Sequence, residues 1–240
     1  METKDIINLT EIRDTAIKVL TSPSEFFREM PKTGGFVEPL IFMLVMGVIA
    51  GLIQSIFSII GLRVASGMAM GVASIILLPI AIGIFGFAGA AILFAIWKVM
   101  GSQESHETAY RCAAFISALT PITSVVGLIP YIGGAIGIAL ATYFVVISSI
   151  EVHKIPSQKA WLVFGIIGAI CVILGISGEI ASRRVAREAV KFRKEAEKAS
   201  KMMQKQAEDA GKQIQKSAEE AQKVLEEVQK QMKESQENKE

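Results

Sequence analysis

The stretch VASGMAMGVASIILLPIAIGIFGFAGAAILFAIW, from Val64 to Trp97, contains no ionisable side chain. It exceeds the roughly 20 apolar residues that a helix needs to cross about 30 Å of hydrocarbon. An apolar tract also precedes it, from Phe36 to Gly61, with Glu38 as its only ionisable residue. Because hydrophobic residues make up 51% of the chain and concentrate in such tracts, the composition predicts an integral membrane protein.

Proline, glycine and charged residues divide the apolar region 36–181 into about five predicted spans. Lys98 to Arg111 is a polar loop that cannot lie in lipid. The tract after this loop is too long for one crossing, so Ile129 to Gly134 predicts a tight hairpin. We therefore predict an all-α, polytopic transmembrane helical bundle, with four or six spans as alternatives. The predicted spans are about 37–61, 69–97, 112–128, 131–150 and 160–180.

Residues 1–35 predict two short amphipathic helices that lie in the membrane interface. In the second helix, Ser22 and Pro23, with Glu25 three residues after the serine, match a capped helix start. A proline ends this helix, and two glycines turn the chain into the first span. The two apolar faces consist of Ile6, Leu9, Ile12, Ala16 and Leu20, and of Phe26, Phe27 and Met30.

The segment 182–240 is rich in Ala, Glu, Lys and Gln and predicts a long charged helix or coiled-coil tail. Apolar or small residues recur at steps of three and four, which places them in one helical stripe. From Ala199 this stripe repeats every 11 residues, a period that favours a straight or right-handed supercoil. We call the stripe the seam, and it comprises Val185, Ala189, Phe192, Ala196, Ala199, Met203, Ala207, Ala210, Ile214, Ala218, Ala221, Leu225, Val228 and Met232.

Three interpretations of the tail stay open. It can be a solvated single helix stabilised by charge pairs, a homo-oligomer formed through the seam, or a binder of anionic lipid headgroups. The third follows from the basic residues just after the last span, each worth on the order of 1 kcal/mol near an anionic surface. The tail contains a single aromatic residue, and its later half is balanced in charge. Both observations argue against nucleic-acid binding. The candidate lipid contacts are Arg183, Arg184, Arg187, Lys191, Arg193 and Lys194.

Glycine repeats inside the spans predict close helix packing. Gly47-x-x-x-Gly51 and Gly67-x-x-x-Gly71 are small-residue repeats that let two helices approach each other. The contact can lie within one bundle or between two copies of the chain.

The sequence offers no constellation for catalysis, so we expect no enzyme activity, no cofactor and no metal site. His106 and His153 have no metal-ligand spacing to each other or to cysteine. Glu151-x-His153 predicts a polar pair at headgroup level. Both cysteines, Cys112 and Cys171, fall in apolar tracts and predict buried thiols.

A few polar side chains inside the spans are candidates for intramembrane contacts. An amide in lipid must find a hydrogen-bond partner, whereas Ser and Thr commonly bond to their own helix. Convergence of these residues on a hydrated cavity would favour a transporter, and a filled bundle would favour a scaffold. The candidates are Gln54, Thr120, Thr123 and Thr142.

Five short motifs occur in a set order and spacing along the predicted spans. They are Ser22-Pro23-x-x-Phe26-Phe27, Tyr110-Arg111, Ile129-Pro130-x-x-Gly133, Glu151-x-His153 and Lys159-Ala160. Together they resemble the Yip family of integral membrane proteins, in its prokaryotic form, over residues 20–177. The resemblance implies a five-span α-helical domain with a cytoplasmic N-terminus. Its eukaryotic members act in vesicle traffic and associate with Rab-type GTPases, and the charged tail departs from the family's usual ending at the last span.

From these observations we expect a non-enzymatic multi-pass scaffold or membrane-organising protein, with a small-molecule or ion transporter or channel as the alternative. The expected partners are the lipid bilayer and a second copy of the chain, held through the glycine repeats or the tail. The short loops favour the plasma (inner) membrane of a prokaryote. Near the membrane, seven Lys and Arg residues lie on the N-terminal side and eight on the other side. This distribution does not determine which side of the membrane is cytoplasmic.

Overall fold

The computed structural model describes residues 9–60 and 67–237, and every regular element in these residues is helical. Five helical segments are long and apolar enough to cross a membrane, which confirms the predicted all-α bundle. A short 3-10 turn, Ser117–Leu119, joins the two parts of the third crossing. The helices are α1 (Leu9–Thr21), α2 (Pro23–Glu29), α3 (Val37–Ile59), α4 (Gly67–Val99), α5 (His106–Ile116), α6 (Thr120–Val126), α7 (Ile132–Glu151) and α8 (Ser157–Glu237).

The chain divides into two compact units, Met1–Ser182 and Arg183–Glu240. We call the first unit the bundle and the second the tail. The bundle contains the five crossings, the last of which is the first part of α8. In its described residues the tail is entirely helical.

Two glycines bring α3 and α4 together. A Cβ atom at Gly47 would lie 2.7 Å from the Cα of Pro79, and one at Gly51 would lie 2.7 Å from the carbonyl oxygen of Ser74. Only glycine permits this separation of the two backbones. The first predicted small-residue repeat therefore packs within one chain. The surroundings of Gly67 and Gly71 lie outside the described residues.

The third crossing begins earlier than its sequence predicts. Helix α5 starts at His106 because the Ser105 hydroxyl accepts a hydrogen bond from the backbone N–H of Thr108, at 3.1 Å. Arg111, expected in a polar loop, consequently lies in the second turn of this helix. Its side chain is 1% exposed.

Both predicted N-terminal helices are present, and their apolar faces pack partly against protein, although Leu9 at the start of α1 is exposed. Val19 of α1 and Phe27 of α2 are buried. The ring of Phe26 packs edge-on against Phe115 of α5, with the centroids 5.1 Å apart. The expected side-chain cap at Ser22 does not form, and only the serine carbonyl bonds to the following turn. Helices α1 and α2 are therefore packed on the crossings, and their position in the membrane interface stays a prediction.

At the opposite end of the bundle, a tight hairpin joins the third and fourth crossings, as predicted. Its residue Tyr131 has a φ of 65°, in the left-handed region. The N–H of Tyr131 donates to the carboxylate of Glu179 at 3.1 Å, so the fifth crossing holds the hairpin.

Candidate functional site

The motif residues from four of the five motifs meet at one end of the bundle, where α1 and α2 pack on the ends of the crossings. The hairpin motif lies at the opposite end. We call the charged and hydrogen-bonding side chains at the first end the polar layer. It comprises Arg28, Lys32, Glu38, Trp97, Ser102, Glu104, Arg111, Ser149, Glu151 and His153.

Arg111 lies at the centre of the polar layer. One terminal nitrogen, Nη2, donates to the Glu38 carboxylate at 2.9 Å, and Nη1 donates to the carbonyl of Gly35 at 3.2 Å. The guanidinium lies over the ring of Phe115, 5.8 Å from its centroid. Nε is buried and has no hydrogen-bond partner among the described residues. A buried guanidinium thus connects α5 to the start of α3, and Glu38 balances its charge from the exposed side.

His153 is also buried, and it lies beside Cys112, the residue that follows Arg111. Its ring stacks on Trp97 with the centroids 3.8 Å apart, and its Nδ1 is 2.8 Å from the Ser102 hydroxyl. Trp97 in turn donates its indole N–H to Ser149 at 2.7 Å. Burial, together with the charges of two nearby lysines, lowers the pKa of His153 to about 3. The imidazole is therefore neutral at physiological pH.

Glu151 and His153 do not form a pair with each other. Glu151 accepts two hydrogen bonds from Arg28, both at 3.0 Å, and this bidentate ion pair joins α2 to the end of α7. The expected headgroup-level pair is therefore wrong for His153, because that ring points into the protein. A second ion pair, between Lys32 and Glu104 at 2.6 Å, joins the segment after α2 to the loop between α4 and α5.

The four predicted intramembrane residues divide into three separate contacts. Gln54 of α3 donates to the Ser124 hydroxyl of α6 at a long 3.5 Å. Thr123 donates to the carbonyl of Thr120 within the same helix, at 3.1 Å. Both threonines line an open groove of about 510 Å³, and most of the other lining residues are apolar or glycine.

Thr142 makes the third contact, away from that groove. A Cβ atom at Gly168 would lie 2.5 Å from the Thr142 hydroxyl, so this side chain fills the space between α7 and α8. The structure thus brings Thr120 and Thr123 together and leaves Gln54 and Thr142 apart.

The candidate lipid contacts lie at the start of the tail, and all six side chains are exposed. Of the two cysteines, Cys112 is buried as expected, but Cys171 is exposed on α8. No group of three or more potential metal ligands occurs in residues 9–60 and 67–237. The thiol of Cys112 is 4.0 Å from His153 Nε2, and both residues are enclosed by protein. Neither is open to a substrate.

Sequence reasoning missed the roles of Arg111, Ser102 and Trp97. Arg111 looked like a loop charge because its partner Glu38 lies 73 residues away in sequence. The only sequence signal for this site was that Arg111 and His153 belong to the Tyr110-Arg111 and Glu151-x-His153 motifs. A motif does not indicate whether its residues are buried.

Comparison with known proteins gives one match. The family model of the Yip1 domain matches residues 17–178, from α1 to the last crossing, and this range includes the whole polar layer. No curated protein and no solved structure matches the chain.

Proposed function

The chain belongs to the Yip1 domain family of membrane proteins, and from this premise we propose that it is a non-enzymatic, multi-pass scaffold that organises its membrane. The bundle supplies a rigid platform at its polar layer, and the tail supplies an element that binds partners or anionic lipid. The membrane in question is the plasma membrane of a prokaryote.

The proposal rests on the ion pairs of the polar layer. Arg28, Lys32 and Arg111 each bind a carboxylate from another segment. The first two hold α2 and the segment after it on the crossings, and the third joins α5 to the start of α3. Charges that line a transport pathway must instead be free to bind and release a solute. A layer whose charges bind each other supports a fixed docking surface.

The surface of this layer gives a direct test. Lys98 and Gln103 are exposed there. We expect cross-linking in native membranes to capture a defined stoichiometric complex, and Lys98→Glu with Gln103→Glu to dissolve it without lowering the melting temperature. Exposed Leu162 lies on a crossing, and Leu162→Ala provides the control that keeps the complex. An unchanged complex in the Lys98→Glu/Gln103→Glu variant would contradict the proposal that the polar layer is a docking platform.

A solute transporter is the second candidate, and the open groove that contains Thr120 and Thr123 favours it. The two proposals differ in a flux assay on proteoliposomes. A scaffold gives no saturable solute uptake. Saturable uptake that is abolished by Gln54→Leu or by Thr123→Val would overturn the scaffold and establish transport.

A further inference from the structure

We propose that the tail pairs with the tail of a second copy of this chain in antiparallel orientation, with Ala210 at the centre of the pair. This inference goes beyond the scaffold function, because it specifies the partner, the direction and the register of one contact.

The seam is exposed in the described part of the tail. Its large side chains in the described residues, among them Phe192, Met203, Ile214 and Leu225, are between 61% and 74% exposed. The helix that carries them continues to Glu237. A helix with an apolar stripe of this length gains free energy when a second apolar surface covers the stripe.

The seam is symmetric about Ala210 to within one residue. Ala199 and Ala221 each lie 11 residues from this centre. When two copies are aligned antiparallel about Ala210, four of the larger seam residues come close to an alanine of the other copy, so that a large side chain meets a small one at these four positions. In this register Ala210 lies opposite itself, Ala199 opposite Ala221, and Phe192 opposite Val228. Four further pairs come within one residue of facing each other: Met203 with Ala218, Ile214 with Ala207, Leu225 with Ala196, and Met232 with Ala189.

A parallel pair has a less favourable seam. In register, Met203, Ile214 and Leu225 would each face their own copy, while the alanines between them would face alanine. The helix separation would then have to be wide at some layers and narrow at others. The antiparallel alignment gives the four pairs of a large residue with an alanine a similar summed size, so one separation of the helices fits these four pairs.

The two ends of the tail carry opposite net charge. Residues 183–201 contain eight basic and three acidic residues, a net charge of +5, whereas residues 219–237 contain three basic and six acidic residues, a net charge of −3. An antiparallel pair places each basic segment beside the acidic segment of the other copy. A parallel pair places like charges side by side, which is unfavourable.

The helical tail from Arg183 to Glu237 is roughly 80 Å long, because an α-helix rises about 1.5 Å per residue. In the antiparallel pair the two Arg183 residues lie at opposite ends of this length.

Disulfide cross-linking of the full-length chain in detergent tests the orientation. The background carries Cys171→Ala, and the buried Cys112 remains. Ala199→Cys and Ala221→Cys are prepared as two separate proteins, mixed, and oxidised. We expect the mixture to form disulfide-linked dimers several-fold more than either protein alone.

Two further variants complete the test. Ala210→Cys alone is expected to cross-link strongly, because Ala210 faces itself. Lys205→Cys lies on the face opposite to the seam, at about 200° from Met203 on the helix, and is expected to remain monomeric. Cross-linking of Ala199→Cys alone that equals that of the mixture would show a parallel pair. Failure of Ala210→Cys to exceed Lys205→Cys would show that the tails do not pair. Either result overturns the inference, and neither affects the flux or platform tests of the scaffold.

Discussion

The two ends of the bundle are held by different forces. At the polar layer, ion pairs and a buried imidazole connect segments that are distant in sequence, as between Arg111 and Glu38. At the hairpin end, backbone packs directly on backbone, since Gly133 lies against the carbonyl of Val126. Ion pairs between side chains therefore attach α2 and the segment after it at the polar layer, whereas backbone packing acts at the hairpin together with the hydrogen bond from Tyr131 to Glu179. The predictions below test this division.

The largest loss of stability is expected when the charge on Arg111 loses its partner carboxylate. Glu38→Gln leaves a guanidinium that is 1% exposed facing a neutral amide. We expect the free energy of unfolding to fall by about 3 kcal/mol, the lower end of the range for a buried pair, because Glu38 itself reaches water. Thermal unfolding in detergent measures the change.

The matched control is the double variant Glu38→Gln with Arg111→Met. Because it removes the buried charge as well, it should recover most of the lost stability. If the double variant were as unstable as Glu38→Gln alone, packing rather than charge would hold this end.

The hairpin end should respond to added volume instead. In Gly133→Ala, the new methyl group meets the carbonyl of Val126 and the Cα of Gly127, at 2.9 Å from the latter. Overpacking of this kind costs about 2 kcal/mol. At neighbouring Gly134 an added Cβ has no described atom within 4 Å, so Gly134→Ala should leave the melting temperature unchanged or slightly raised. Equal losses in both variants would contradict a specific close contact.

His153 makes the polar layer sensitive to acid. Its pKa is lowered to about 3 in the folded protein, against about 6.5 in the unfolded chain, so the unfolded state binds the proton first as the pH falls. The stabilisation is present above about pH 6.5 and is lost progressively from there towards pH 3. Between pH 7 and pH 5 the loss is about 2 kcal/mol.

The variant His153→Gln removes this titration. Thermal unfolding measured at pH 7 and pH 5 should show a smaller difference between the two pH values than in the unchanged protein. An identical pH dependence in the variant would place the sensitivity in other groups.

The smallest effect is expected at the exposed pair of Arg28 and Glu151. Arg28 is 62% exposed, so solvent and salt screen the attraction. Arg28→Gln should lower the melting temperature slightly at low ionic strength, and this difference should vanish at about 1 M salt, where the Debye length is about 3 Å. A difference that persists in high salt would indicate that α2 is held here by more than surface charge.

The sequence was sufficient for the bundle and insufficient for the polar layer, and the reason is physical. Apolar length and the breaks at proline and glycine depend on neighbouring residues, so the five crossings and the hairpin before Gly133 could be predicted. Burial of Arg111 depends on Glu38, and burial of His153 depends on Trp97, and these partners are distant along the chain. The periodicity of one segment contains no information about such pairs.

The ion pair of Arg28 and Glu151 also sets an order of events during biosynthesis. Glu151 is made 123 residues after Arg28, at the end of the fourth crossing. Helix α2 therefore leaves the ribosome long before its carboxylate partner exists. Attachment of the N-terminal helices through this pair is a late step in the assembly of the protein, completed only after four of the five crossings have been synthesised.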